Sequence, residues 1–353
     1  MCLKFSGVSK DAVKARAAGA WDRILLELSP AIASALDRPG LVHIDCPIHG
    51  GRKDFRVFRD VAETGGGVCT CGTWPDGFAL IGAVNGWSFK ETLSEVGRLV
   101  LGDKPTLSPV SRITRKRDTA REDAAIRQRL TALWRGSFSL TKKEAEPGRT
   151  YLVNRGLMLP AGLQGVRYHP AMAYYDEEGK LAGRFPGLLA LVTAPDGQPV
   201  TIHRTFLSAD GRKAPVASPK KLCAHAACRP LQGASIRLFP AAETLAVAEG
   251  IETALAVTQL SGIPCWATVS AGLMEQFVPP PGVRMVRIFA DRDSPNKGHP
   301  QGHGQEAAEK LARRLTESGV AAKIELPPMP IPVGRKGVDW LDVLEGVNAI
   351  RAA

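Results

Sequence analysis

The stretch Leu245–Val257, LAVAEGIETALAV, is an apolar strand pattern, then Glu249-Gly250, then a helical pattern. A short aliphatic run that passes straight into a helix is the βα half of a parallel-sheet unit. The alternation continues outward. IPCWATVS (263–270) predicts a strand and AGLMEQF (271–277) a short helix. RMVRIFADRD (284–293) predicts a strand, GQEAAEKLARRLTESG (304–319) a helix closed by Gly319, and VAAKIELPP (320–328) a last strand. This order predicts an α/β unit with a largely parallel sheet.

A lone Glu-Gly at a strand end is ordinarily a surface turn. The neighbouring acids change that reading. FADRD puts Asp291 and Asp293 at the end of a second strand, spaced so that both share a face of an extended chain. KGVDWLDVL adds Asp339 and Asp342 after the last strand. The carboxyl ends of parallel strands open on one crevice, and carboxylates gathered there repel one another unless a cation joins them. Hard oxygen donors select Mg²⁺ or Mn²⁺, and such an ion stabilises the charge that develops in phosphoryl transfer. Glu249, Asp291 and Asp293 are the candidate catalytic residues and, with Asp339, the candidate Mg²⁺ or Mn²⁺ ligands. The residues leave open whether Glu249 touches the metal or acts as a base.

Upstream, Thr150–Phe239 reads as strands. GLLALVTA and PVTIHRTFL flank PDGQ, a hairpin with Asp196-Gly197 in its turn. Arg167, His169, Arg184, His203, Arg204, Lys213, Lys220 and Lys221 make this region basic. Near the N-terminus, Ile24, Leu25, Leu28, Ile32 and Leu36 recur on one face of a helix expected over Ser9–Leu36, ended by DRPG. WSFKETLSEVGRLVLG (87–102) predicts a further helix, and another is expected near Ala120–Arg135. HIDCPIHGG and GGVCTCGTW supply Cys46, His49, Cys69 and Cys71, four soft donors in two knuckles, each followed by glycine. That is a candidate structural zinc site. Its second knuckle is C-x-C, so His43 is the alternative fourth ligand. Between the knuckles, Phe55 and Phe58 interleave with Arg52, Lys53, Arg56 and Arg59, a pattern suited to stacking on bases and holding phosphates. A second cluster, Cys223, His225 and Cys228, offers three donors and reads as ordinary loop residues, with a further metal clip as the alternative.

The 353 residues carry a formal net charge of +11. Lys104–Arg149 alone hold twelve Lys/Arg against five Asp/Glu, a net +7. A basic segment of this kind suits a polyanionic partner. No apolar run is long enough to span a membrane, no secretory leader is expected, and no phosphate-binding motor motif is present. The expectation is a cytoplasmic, bacterial protein without a membrane partner, its seven cysteines reduced or metal-bound.

AVAEGIETALA followed by IFADRD resembles the Toprim domain, a Rossmann-like parallel-sheet unit of primases, topoisomerases, recombination mediators and some nucleases. Glu249 falls on its invariant acid, and Asp291 and Asp293 on its DxD. LPPMPIPVGRKGVDWLDVL is similar to the following primase segment; Asp339 falls on its second Asp, while Gly337 and Val338 replace the first Asp and the Pro. CPIHGG, FRVF and CTCG with DGFALIGAVNGWSF resemble the zinc-binding domain of phage- and plasmid-type primases. The region from YLVNRGL to SPKK resembles the segment before the Toprim unit in the same proteins. The resemblance implies a DnaG-type primase of α/β and α+β multidomain class. Its parts would be an N-terminal helix (1–40), a small zinc-ribbon-like module (41–101), a basic linker and helix (102–149), a mixed α+β middle region (150–240) and the Toprim domain (241–345). It implies short RNA primers made on single-stranded DNA from nucleoside triphosphates, for a plasmid, phage or integrative element, with a separate replicative helicase as a further partner. It also implies Zn²⁺ as a structural ion and Mg²⁺ or Mn²⁺ as a catalytic one. Arg56, Arg167, His203, Arg204, Lys213, Lys220 and Lys221 would then contact nucleic acid or nucleotide. A non-catalytic recombination mediator and a Toprim nuclease are the alternatives.

Overall fold

A computed structural model of the chain describes residues 10–101, 119–176, 179–296 and 299–352. The basic linker from 102 to 118 lies outside the described residues. The chain divides into two compact units, Met1–Lys116 with Tyr175–Lys180, and Arg117–Tyr174 with Leu181–Ala353.

In the first unit the helix expected over Ser9–Leu36 is three helices: α1 (Lys10–Ala17), α2 (Trp21–Leu28) and α3 (Ala33–Leu36). Two breakers explain the division. Gly19 adopts φ 77° between α1 and α2, and Pro30, which has no N–H to continue a helix, opens a 3₁₀ turn before α3. There follow β1 (Arg56–Val57), α4 (Val61–Thr64), β2 (Gly67–Cys69), β3 (Gly72–Trp74), α5 (Gly77–Asn85) and α6 (Phe89–Leu101). The three strands form one antiparallel sheet in the order β1-β2-β3. Asp76 caps α5 by accepting the Ala79 N–H at 2.9 Å. The indole of Trp21 packs edge-on against Phe78 at 4.9 Å between ring centres. A Cβ at Gly77 would stand 2.1 Å from the Trp21 ring, so glycine is what lets α5 close on α2.

The second unit begins with α7 (Thr119–Arg135), β4 (Phe138–Ser139) and α8 (Glu146–Asn154). The strands β5 (Val166–Tyr175), β6 (Leu181–Thr193), β7 (Pro199–Phe206), β8 (Lys220–Leu222) and β9 (Ser235–Ile236) come next. The β6–β7 hairpin turns where expected, with Gly197 at φ 85°. The alternating region then gives β10 (Thr244–Ala248), α9 (Ile251–Ser261), β11 (Cys265–Ala267), α10 (Ala271–Glu275), β12 (Met285–Phe289), β13 (Arg292–Asp293), α11 (His303–Glu317), β14 (Ala321–Glu325), β15 (Gly337–Val338) and α12 (Trp340–Ala352).

Strands β14, β12, β10 and β11 lie side by side and parallel. The sheet does not stop there. β9 pairs antiparallel with β11 on one side and β6 on the other, joining the parallel half to the antiparallel strands β6, β5 and β4. The middle region and the α/β region therefore share one mixed sheet of ten strands among the described residues. They also share a core, in which Tyr151, Leu152 and Leu188 pack with Ala248, Leu255 and Leu344. No helix among the described residues is long and apolar enough to cross a membrane.

Candidate functional site

The register of the parallel strands sets the crevice. Ala248 at the end of β10 lies opposite Phe289 at the end of β12, so Glu249 follows its strand end by one residue and Asp291 follows its own by two, both at the same edge of the sheet. Gly250, at the N-cap of α9, turns the chain into the helix behind Glu249. Arg292 and Asp293 then pair as β13 with Val338 and Gly337 of β15, which brings the Asp339 segment beside the DxD. A Cβ at Gly337 would come within 2.9 Å of the Arg292 carbonyl and 3.0 Å of an Asp293 carboxylate oxygen. This pairing leaves no room for the aspartate that the primase segment carries at that place.

Electrostatics mark Glu249 and Asp291 as a pair under strain. Burial, then the Asp293 charge, pushes Glu249 up to about 7, against a smaller pull from Lys220. Burial, then Glu249, Asp339 and Asp293, pushes Asp291 up to about 8, again opposed by Lys220. One oxygen of Asp291 (Oδ1) is buried with no hydrogen-bond partner among the described residues. A divalent cation would relieve both the repulsion and the orphaned oxygen, so Glu249 and Asp291 fit such an ion. Asp293 is partly engaged, its Oδ2 accepting the Gly304 N–H at 2.8 Å. Asp339 caps α12, its Oδ1 accepting the N–H groups of Leu341 and Asp342 at 2.9 Å each. Asp342 does not replace the missing ligand. Its two oxygens pair with Arg335 at 2.9 and 3.2 Å, and Oδ2 also accepts the Asp339 N–H. The four carboxylates do not close into a tight cage: among the described residues only Cys46, His49, Cys69 and Cys71 bring three or more donor atoms all within 4.8 Å of one another. Open spacing suits Mg²⁺ or Mn²⁺, which is held by one or two carboxylates and keeps several waters.

The basic residues split by strand alternation. β7 and β8 pair with Arg204 opposite Lys221 and Thr205 opposite Lys220. Lys220 faces the acids, donating to Glu252 at 2.8 Å. Lys221 lies on the opposite side, 4.3 Å from the centre of the Tyr174 ring, and Arg204 stacks near Phe206 at 5.2 Å. Lys213 is exposed at the surface, and its ammonium is lowered by partial desolvation, then by Lys220, with Asp339 among the charges it feels. It lines a cavity of about 680 Å³ with Thr150, Tyr151, Asn154, Arg155 and Asp210. Two of the residues expected to contact nucleic acid are enclosed within the fold. Arg167 donates to the Ser137 hydroxyl at 2.7 Å and to its carbonyl, and packs on Trp134. His203 is buried, and burial, then Lys220, pulls its imidazole down to about 4. It is therefore neutral at physiological pH.

Sequence reasoning missed Glu252 and Tyr151. The Tyr151 hydroxyl donates to Glu252 Oε1 at 2.6 Å while Lys220 holds Oε2. Burial pushes Glu252 up, but the Lys220 charge and the hydrogen bonds from Lys220 and Tyr151 outweigh it and hold Glu252 at about 2.

In the first unit, the Cys46 and Cys71 sulfurs are 3.8 Å apart, and Cys69 Sγ lies 3.7 Å from His49 Nδ1. The edge of a tetrahedron built on Zn–S bonds of about 2.3 Å is about 3.8 Å, so the cluster has the size of a zinc site. His49 turns its other nitrogen to Asp54 at 3.1 Å, the carboxylate–imidazole arrangement that fixes a metal-binding tautomer. Gly51 is required there, since a Cβ would stand 2.1 Å from Asp54 Oδ2. Hydrogen bonding from Cys71 leads in drawing the Cys69 thiol down to about 6. The fourth member is Cys71, not His43. Arg56 sits on β1 of the same sheet, its guanidinium lowered by burial. Cys223, His225 and Cys228 form no such set. Their loop is tied instead to α7 by Asp123, which accepts the N–H groups of Ala227 and Cys228 at 2.7 and 3.1 Å.

Comparison with known proteins follows this division. Residues 42–78 match the zinc-binding domain of primase-helicase, 124–234 a domain of unknown function (DUF7146), and 244–347 the Toprim domain. No curated protein matches the chain. Among solved structures, a DNA primase domain from Pseudomonas aeruginosa is 14% identical, with 64% of this chain and 77% of that one covered and a TM-score of 0.42. The Aquifex aeolicus primase, with its zinc-binding and RNA polymerase domains, is 15% identical over 94% of this chain and 83% of its own, at 0.37. The primase fragment of the bacteriophage T7 primase-helicase is 14% identical over 88% and 98%, at 0.33. The chain has a primase-type zinc ribbon toward its N-terminal end and a Toprim domain toward its C-terminal end, the domain pair of the DnaG-type primases that its motifs resemble.

Proposed function

We propose that this protein is a metal-dependent DNA primase that joins ribonucleotides on a single-stranded DNA template. The observation that carries this reading is that Glu249 and Asp291 stand just past the ends of two adjacent parallel strands, where each feels the other's charge, with Asp293, Asp339 and Lys220 around them. A Mg²⁺ or Mn²⁺ ion bound there would neutralise triphosphate oxygens and stabilise charge in the transition state. Glu249 and Asp291 hold the ion, and Asp293 and Asp339 add negative charge at its edge. Lys220 and Lys213, on the same side of the unit, are the contacts for the triphosphate, an anion that the carboxylates alone would repel. Arg204 and Lys221, on the other face of the β7–β8 pair, and Arg56 of the zinc ribbon are offered to the template backbone. A zinc ion held by Cys46, His49, Cys69 and Cys71 would give that ribbon its shape and take no part in the chemistry, because all four ligand positions would be protein atoms.

The genetic setting of this reading is a plasmid, phage or integrative element, with unwinding supplied by a separate helicase. The test is incubation with single-stranded DNA, Mg²⁺ or Mn²⁺ and labelled ribonucleotides. Short labelled oligomers are expected, and Glu249→Gln or Asp291→Asn should lower their yield at least about 100-fold. Shortened DNA would make the protein a nuclease, and binding without either product a mediator. Full primer synthesis by either variant would reject the site.

A further inference from the structure

Lys220 is the cation nearest in effect to the two strained acids, lowering both Glu249 and Asp291 through its charge. An ammonium free to move there would pair with one of them and compete with a metal ion. In this structure it pairs elsewhere. Its Nζ lies 2.8 Å from Glu252 Oε2, and Glu252 is only 7% exposed. Glu252 lies in the first turn of α9, three residues after Glu249, and its Oε2 lies 3.9 Å from where a Gly250 Cβ would be. The anchor therefore sits against the Glu249–Gly250 turn itself. The other oxygen of Glu252 is fixed by the Tyr151 hydroxyl at 2.6 Å, so the carboxylate cannot rotate without breaking a buried hydrogen bond.

We propose that Glu252 and Tyr151 are positioning residues that hold the Lys220 ammonium beside the crevice and off Glu249 and Asp291, leaving those two carboxylates to a divalent cation while the ammonium stays placed for a phosphate. The proposal rests on the metal-crevice reading above. It assigns Glu252 no contact with substrate or metal.

The test is Mn²⁺ binding to the full, zinc-loaded chain, followed by the electron-spin resonance signal of free Mn²⁺. Glu252→Gln keeps the shape and still accepts from Tyr151, but releases Lys220. It is expected to weaken Mn²⁺ binding about five- to tenfold, the scale of one partly buried ion pair. Tyr151→Phe should weaken it in the same direction by less. Adding Lys220→Met to Glu252→Gln should restore Mn²⁺ binding, which a folding defect would not allow, while triphosphate binding stays weak. Unchanged Mn²⁺ affinity in Glu252→Gln, or no restoration in the double variant, would overturn the positioning role alone. A wild-type chain that binds no Mn²⁺ would overturn the metal crevice and this proposal together.

Discussion

His203 carries a charge cost that only acid reveals. Its ring is buried on β7 beside Lys220, and its Nδ1 has no partner among the described residues. The folded imidazole binds its proton near pH 4, whereas in the unfolded chain it does so near 6.5. Below 6.5 the unfolded chain takes up the proton first, so stability is lost as pH falls through 6.5 to 4, by up to roughly 3 kcal/mol. Glu252 adds a second loss lower down. Held at about 2 when folded, it contributes stability that is complete above its unfolded value of 4.5 and disappears as pH falls from there toward 2. Glu249 and Asp291, raised when folded, act in the opposite sense over the same window, so the His203 contribution is read from the difference between two chains in denaturant melts. Relative to the wild type, His203→Gln should gain stability as pH falls from 6.5 to 4; equal slopes in the two chains over that range would remove His203 as a source. Neither group's environment was legible as sequence. Glu252 lies inside the stretch that decides the fold, yet it reads as an ordinary acid in the first turn of a helix. Its partners stand 101 and 32 residues away, and only the folded sheet brings them together.

At the scale of elements, glycines with opposite surroundings make a paired prediction. Gly337 lies on β15, with the Arg292 carbonyl 2.9 Å and an Asp293 carboxylate oxygen 3.0 Å from where a Cβ would stand, a few tenths of an ångström too near. Gly337→Ala must push β15 from β13 and is expected to cost about 1–3 kcal/mol, with weaker Mn²⁺ binding because Asp293 moves. Gly272 lies in α10 with nothing within 4 Å of a Cβ and no positive φ. Gly272→Ala should raise stability by about 0.5–1 kcal/mol and leave Mn²⁺ binding alone. Thermal melts of both variants check the signs, and a neutral Gly337→Ala would show that the β13–β15 pairing does not fix the DxD. The elements themselves were unequally legible. From Thr244 to Glu325, β10, β11, β12 and β14 lie where the pattern expects them, whereas the single strand expected over 284–293 ends at Phe289 and Arg292–Asp293 pair apart from it as β13. α8 corrects the start of the region expected as strands: Thr150–Asn154, TYLVN, is rich in strand-forming residues but is helical, with Tyr151 and Leu152 packing into the core. The N-terminal helix was read as too long because its apolar period runs on across Gly19 and Pro30.

At the scale of the molecule, the boundary drawn at 240–241 from sequence patterning falls between β9 and β10, two strands of one sheet. What hid the continuity is β9 itself, a buried two-residue strand that no periodicity can announce. The first unit has its own core, and Cys46 and Cys69 belong to it, packed with Phe55, Val57 and Phe78. Its sheet has only short strands, so the zinc cluster joins the β2–β3 turn to the Cys46–His49 knuckle where few other contacts do. Removing zinc leaves three thiols and an imidazole packed without a cation, and metal binding of this kind is folding free energy. A strong chelator is therefore expected to melt the first unit while the second keeps its cooperative transition, giving two separated steps in calorimetry where the zinc-loaded protein shows a more stable first step. The purified chain should hold one zinc, Cys71→Ser should lose most of it, and His43→Ala should keep it. Zinc retained by Cys71→Ser but lost by His43→Ala would reverse the assignment of the fourth ligand, and an unshifted first step after chelation would show that the ribbon stands without its metal.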